Sequence, residues 1–467
     1  MNNKLIKTVL LGTTILALSA CTTVPKDSGL ANIEAITGDL SEASYRLPRI
    51  DEPMPMSNEE LGELLKEPLG LEVAERISVE SNPIVKAKIA AVGIAEADYA
   101  QAGRMENPGL AYERFSGEEY SASLLFDIGG VLLMPLKRKM EARRLEAARY
   151  QAARDVLAHV SDTRMAWINA VAEKQQTALV KRAVETAETS NNLTRQMTAL
   201  GHSNVIESAQ SELVLAKLRE TLIRQRLSEQ SARESLVRQL GLWGERARTF
   251  SVPDQLPALP SSPIQIPAVE REAVQNRLDV QMAKFNLESM AKNLKLNQLN
   301  PFLSAIEFGP VLEAAEGEKE RGYELELRLP IFDAGGVKTQ KARIVYEQAK
   351  AQAEASAVAA ASAARQALSS YQSSWDIANH MQEQMLPIRS RISDEQLLMY
   401  NGMLISVFDL LNDLLSATNL EADYVNALRD FWLADANLQN TLTGASDGEM
   451  NFSASAMVPE NDAGADH

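Results

Sequence analysis

The sequence predicts a mainly α-helical chain with a small β part, built as two copies of one unit. Each copy is a pair of short strands followed by a long antiparallel coiled-coil helical hairpin. Three observations carry this. The 467 residues are rich in Ala, Leu, Gln, Glu and Arg and only 5% aromatic, which favours long helices over compact sandwiches. A set of landmarks occurs twice in the same order. Behind each set the chain runs for many turns without glycine, in the first copy without proline either, before a single glycine interrupts it.

The chain begins with Lys4, Lys7, an apolar run from Val9 to Leu18, and then Leu18-Ser19-Ala20-Cys21. That run is far shorter than the roughly 20 residues a spanning helix needs, so residues 1–20 read as a signal peptide. The stretch resembles a bacterial lipoprotein signal, in which cleavage before the cysteine frees its thiol for a lipid such as palmitate. Cys21 is the only cysteine and cannot form an internal disulfide, which fits lipid attachment. Thr22 after it resembles sorting to the outer membrane. Residues 21–56 read as a linker.

The repeat covers 57–245 and 268–444. In the first copy "SNPIVKAKIAAVGIAEADYAQAGRMENP" (81–108) is followed by a strand hairpin at 109–127, "FDIGG" (126–130), and helices at 137–200 and 203–241. In the second, "QNRLDVQMAKFNLESMAKNLKLNQLNP" (275–301) is followed by a hairpin at 302–332, "FDAGG" (332–336), and helices at 337–400 and 404–442. A period of about 200 residues is too long for a solenoid and marks duplication of one large unit. Between the copies, 246–267 includes "VPDQLPALPSSPIQIP", a stiff proline-rich connector. The polar stretch 445–467 reads as a disordered tail.

Local chemistry explains the landmarks. Proline cannot donate into a helix and disfavours the helical basin for its predecessor, so Asn107 and Asn300 are expected to end their helices. The Asp-x-Gly-Gly stretches give turn geometry and a carboxylate near a following helix N-terminus. From about Lys137 to Leu200 the first long helix would extend roughly 95 Å. In the last helix Leu411, Leu415, Thr418, Ala422, Val425, Arg429, Trp432 and Ala436 step alternately by four and three, the spacing of a coiled-coil seam. Alanine dominates 349–367 and permits close helix packing. Gly201 and Gly402 are expected to turn the hairpins at their tips, and Pro387 to kink the helix before the second tip.

In "YELELRL" (323–329) Tyr323, Leu325, Leu327 and Leu329 alternate with Glu324, Glu326 and Arg328. In a soluble sandwich the apolar side would face a core. With four such strands and no other sheet to cover them, lipid is the better candidate. Four strands cannot close a barrel, whereas a homotrimer would supply twelve, leaving no open edge.

The Asn-Pro pairs, "NRLD" (276–279), both Phe-Asp-x-Gly-Gly turns, both tip glycines and "YNGMLISVFDLLNDLLSATNLEADYVNALRDFW" (400–432) resemble the TolC family of outer-membrane efflux ducts, over roughly 57–444. The resemblance implies duplicated coiled-coil hairpins plus four strands per protomer in a trimeric 12-stranded outer-membrane β-barrel. It further implies a passive conduit in a Gram-negative outer membrane, anchored by lipid and extended by helices into the periplasm. Its partners would be a periplasmic adaptor (membrane fusion) protein and an inner-membrane pump, with the helix tips as both adaptor contact and gate. Leu200, Gly201, His202, Ser203, Gly402, Met403 and Leu404 are then the candidate adaptor contacts. Asp409 and Asp413, one turn apart past the second tip, are the candidate aperture gate, since a ring of carboxylates at a constriction favours cations; a solvated helix face is the bland reading of either.

The first hairpin departs from this pattern, because its strands fall at or below the 9 to 11 residues of a tilted membrane strand. The alternative is a lipid-anchored periplasmic coiled-coil scaffold without a pore. A net charge of −16 and no basic stripe argue against nucleic acid. No nucleophile with a base, phosphate loop or metal-ligand cluster shows useful spacing, and His159, His202, His380 and His467 are scattered, so neither catalysis nor a cofactor is expected. Met381, Met385, Met399 and Met403 beside His380 hint at soft-metal contacts, but helical methionines are more often core filler.

Overall fold

The computed structural model describes residues 30–40, 45–115, 119–303, 306–315, 318–327, 331 and 334–445. The signal peptide, Cys21, Phe332, Asp333 and the tail from 446 lie outside the described residues. Short helices α1 (Leu30–Leu40), α2 (Asn58–Leu64) and α3 (Leu71–Glu80) lead into α4 (Pro83–Ala102), strands β1 (Gly109–Arg114) and β2 (Tyr120–Asp127), and the long helices α5 (Ile128–Ala199) and α6 (Val205–Leu240). One short turn, α7 (Arg246–Thr249), precedes the connector. The second copy follows as α8 (Val269–Asn276), α9 (Leu278–Leu303), β3 (Ile306–Ala315), β4 (Glu318–Leu327), α10 (Gly336–His380), a π-helical turn Met381–Met385, α11 (Leu386–Asn401) and α12 (Val407–Thr443).

The strands form one antiparallel sheet in the order β1-β2-β3-β4, so the two copies meet at the β2–β3 pair. Gly309 packs so closely on β2 that an added Cβ would lie 1.7 Å from the carbonyl oxygen of Leu124. The α5–α6 and α10/α11–α12 hairpins lie side by side. Gln176 bonds Asn426 at 2.6 Å, and Glu173 pairs with Arg429 and Arg182 with Glu421 at 4.0 and 3.9 Å. Each step along α5 is matched by an equal step back along α12. Continuing that register sets Leu200 opposite Met403, so both tips stand at one level.

The core sits where the copies join. Ile77 on α3, Trp167 and Val171 on α5, Leu236 and Leu240 on α6, and Val425 and Leu428 on α12 are all buried in one cluster. The connector is strapped across it, with Trp375 Nε1 and Trp432 Nε1 donating to the carbonyls of Pro260 and Pro257 at 2.9 and 3.0 Å. None of the eight seam positions of α12 is exposed. The second face of α12 is buried too, through Ala427, Phe431 and Leu438, because it packs on both α5 and α10.

The Asn-Pro pairs do not act as expected. Helix α4 ends at Ala102, where the N–H of Gly103 closes the last turn, and Asn107 already lies beyond it. Helix α9 instead runs through Pro301 to Leu303. Pro301 leaves the carbonyl of Asn297 without its helical donor, and the Thr339 hydroxyl supplies one at 3.1 Å. The first long helix also begins earlier than Lys137. Asp127 caps it by accepting from Gly130 N at 2.7 Å, and Gly129, Gly130 and Pro135 are all helical. With 72 residues it extends roughly 108 Å. The irregularity expected at Pro387 takes the form of the π turn just before it, where the carbonyl of Glu383 has lost its donor.

The tips correct a third expectation. After α5, Gly201 takes the left-handed conformation (φ 76°), and His202 N donates to Met197 O at 2.8 Å. After α11 the equivalent bond runs from Leu404 N to Met399 O at 2.9 Å, but the left-handed residue is Met403 (φ 58°), and Gly402 has an ordinary φ of −81°. Gly402 therefore sits one position early for the turn it was expected to make.

Candidate functional site

Register assigns every strand residue to a face. On one face Leu110 stands opposite Leu124, Tyr112 opposite Ala122, and Ala122 opposite Leu312; Phe126 opposes Phe308, Phe308 opposes Leu325, and Ile306 opposes Leu327. On the other, Glu113, Ser121, Glu313 and Glu320 form one row, and Asp127, Glu307 and Glu326 another. Alternation along the strands places Glu318 and Glu324 with them. The apolar face is open: Leu110 is 76% exposed and Tyr323 79%. Like charges opposite one another, as in Glu313–Glu320, are destabilising unless water solvates them, so this is a sheet with one oily side, one watery side and two free edges.

Ten residues at about 3.3 Å each, tilted by about 40°, rise about 25 Å, the height of the apolar band of an outer-membrane barrel. Strands β3 and β4 have 10 residues each; β1 has 6 and β2 has 8. The first hairpin is thus short, as its sequence implied.

At the far end of the helices the tips present apolar side chains to solvent. Leu200 and Leu404 are each 74% exposed and Met403 is 93% exposed. His202, Gly201 and Gly402 are exposed beside them, and Ser203 is half-buried, donating to Glu207 Oε2 at 2.6 Å. Val205 and Ile206, equally exposed, complete the patch and escaped the sequence reading. Their signal was an apolar pair immediately after the N-cap Asn204, in a first helical turn that has nothing to pack against.

The two aspartates are in different settings. Asp409 is exposed and closes a capping box, accepting from the backbone N–H of Ser406 at 2.9 Å and from its hydroxyl at 2.8 Å. Those bonds hold its carboxyl below the usual range. Asp413 is buried, ion-paired with Arg389 and accepting from the Ser393 hydroxyl at 2.8 Å. The pair ties α11 to α12 within one chain. Arg389 and Ser393 could have been flagged by their spacing of four on one helix face.

Among the described residues no group of three or more His, Cys, Asp or Glu is placed to hold a metal ion. The methionines stand at two levels, Met381 and Met385 in the π turn and Met399 and Met403 at the tip, separated by most of α11. His159 is buried among α3, α5 and α6, 3.3 Å from the carbonyl of Ser78, and burial aided by Lys88 lowers its pKa to about 4. No described helix is long and apolar enough to cross a membrane.

No protein-family model and no curated protein matches the chain. Solved structures do. CusC, solved in a study of folding and transmembrane channel formation, superposes with a TM-score of 0.68 at 17% identity, over 86% of this chain and 99% of that one. The outer membrane protein VceC of Vibrio cholerae gives 0.66 at 18% identity, over 80% and 96%. The Campylobacter jejuni CmeC outer membrane channel gives 0.67 at 15%, over 85% and 94%. At these identities what is shared is the fold, and it is the fold of outer-membrane channels.

Proposed function

We propose that this chain is the outer-membrane duct of a tripartite export system in a Gram-negative bacterium. Three copies close their sheets into a barrel of twelve strands, with the carboxylate faces lining water and the apolar faces against lipid. Cys21 carries the lipid anchor, and the helices extend into the periplasm. Conduction is passive. The level, apolar tips at Leu200–Ile206 and Gly402–Leu404 dock a periplasmic adaptor, which joins the duct to an inner-membrane pump. The observation that carries the reading is the sorting of the sheet into an exposed apolar face and a carboxylate face between two unpaired edges. A soluble chain would leave several large apolar side chains in water.

Planar-bilayer recording tests it: the acylated protein is expected to give stepwise single-channel currents. Smooth baselines at every protein concentration would favour the second reading, a lipid-anchored periplasmic scaffold, for which the short β1 and β2 speak. Within the duct reading, Asp409 and Asp413 form the aperture gate, with Arg389 holding Asp413 while the duct is closed. The double variant Asp409→Ala, Asp413→Ala should open more often or select cations less. An unchanged current record removes both residues from the gate.

A further inference from the structure

The described strands carry three basic residues, Arg114, Lys319 and Arg321, and register places all three on the apolar face. All eight carboxylates of the strands stand on the other face. Phe115 N donates to Glu119 O at 3.0 Å, continuing the ladder and carrying Glu119 to the carboxylate face as well. The cations occupy one end of their face. Arg114, Tyr120, Ala314 and Lys319 form a single row across the sheet at the end remote from the helices, and Arg321, opposite Leu312, lies in the next row of the same face, two residues nearer. All three are exposed. A cation on a lipid-facing strand is costly at the bilayer midplane and nearly free near the interface, so this row belongs at headgroup level. Tyr112 and Tyr120, with ring centroids 6.0 Å apart, flank it with the amphipathic rings suited to that depth.

Arg114 lies on the edge strand β1, and Lys319 and Arg321 on the edge strand β4. Within one chain these edges are about 14 Å apart, three strand spacings. When further copies close the cylinder, β4 of one copy lies beside β1 of the next, and Arg114 comes within about one strand spacing, roughly 5 Å, of the next copy's basic pair. Among the described residues no carboxylate shares the face of these three cations, which calls for an anion, and the guanidinium fork fits phosphate oxygens two at a time.

We propose that each seam between copies binds the phosphate of an outer-leaflet lipid headgroup, at a site that a single chain leaves incomplete. This rests on the barrel reading above. The test uses full-length protein in mild detergent, titrated with bisphosphorylated lipid A and with the same lipid stripped of phosphate, with bound lipid counted by native mass spectrometry. Saturable binding of one phosphorylated lipid per seam is expected, weaker by about tenfold or more for the stripped lipid and for Arg114→Gln/Lys319→Gln/Arg321→Gln. Millimolar inorganic phosphate should not compete. Should the triple variant fail to assemble, Lys319→Gln alone, at the edge of β4, is read in the same way. Protein that assembles and conducts yet binds both lipids equally overturns this site alone. Displacement by inorganic phosphate overturns the lipid as its occupant. Protein that neither assembles nor conducts and binds neither lipid overturns the duct as well.

Discussion

Met403 and Gly201 occupy the same position of the same turn, and only one of them is a glycine. A side chain in the left-handed region costs roughly 1–2 kcal/mol, partly offset by the extra unfolded-state entropy of glycine, about 0.5–1 kcal/mol. Met403→Gly should therefore stabilise the second tip by about 0.5–1 kcal/mol, and Gly201→Met should cost the first about as much. Hydrogen exchange at the Leu404 and His202 amides reads each tip separately; slower exchange in the Gly201→Met chain would refute the account. His159 gives a second residue-scale prediction. Its pKa of about 4 in the fold, against 6.5 unperturbed, means the unfolded chain binds the extra proton first. Stability is then full above pH 6.5 and falls toward pH 4, by about 3 kcal/mol at 1.36 kcal/mol per unit. His159→Gln should flatten the unfolding free energy over that interval, and a slope identical to that of the parent would show that other groups set it. Neither feature was legible in the sequence. A glycine next to a tip looks like the turn residue whichever side it stands on, and the burial of His159 depends on three helices distant in the chain.

The same separation decides how helices end. The C-terminal carbonyls of α6 are capped by the side-chain amide of Asn82, which donates to Gln239 O at 2.9 Å and Arg238 O at 3.3 Å. In the second copy the residue in the matching place is Arg277, which donates to Thr441 O at 2.7 Å and forks onto Asp279 at 3.0 and 2.8 Å. Duplication kept the position and changed the chemistry, which explains why "SNP" and "NRLD" align poorly as letters while doing one job. Asn82→Ala should cost about 1–2 kcal/mol. Arg277→Ala should cost more, about 3–5 kcal/mol, because Asp279 loses its charged partner and the carbonyl of Thr441 loses its closest donor. Arg277→Lys should not rescue it, since an ammonium lacks the fork. Thermal unfolding of the assembled protein orders the three variants, and a lysine variant as stable as the parent would show that charge alone suffices. The helices, their tips and the alternation of β4 could be read from periodicity. Helix α9 continuing through Pro301 could not, because the compensating donor, Thr339, lies 42 positions beyond Asn297, the residue whose carbonyl it satisfies.

For the whole molecule, the sequence showed the two faces of one strand, whereas the sheet shows that the carboxylates of all four strands stand on one side. Carboxylates scattered from Glu113 to Glu326 look like ordinary surface charge until register collects them on one side; Arg114, Lys319 and Arg321 are equally unremarkable until they appear on the other. Three copies would surround the lumen with this face, and its field should concentrate cations there. The reach of that field is the Debye length, about 10 Å at 0.1 M salt and about 3 Å at 1 M. Selectivity should accordingly be clear in dilute salt and weak in concentrated salt. Glu313→Gln/Glu320→Gln removes two facing charges per copy from a row in which both side chains are directed at the lumen. The reversal potential across a KCl gradient should move toward zero, with the cation-to-anion permeability ratio falling several-fold near 0.1 M and hardly changing near 1 M. Arg321→Gln, one residue along the same strand but directed at lipid, should leave the ratio where it was. If instead Arg321→Gln shifts the ratio and the glutamate pair does not, the sheet faces are reversed, the apolar side chains would have to line water, and the barrel as described could not form.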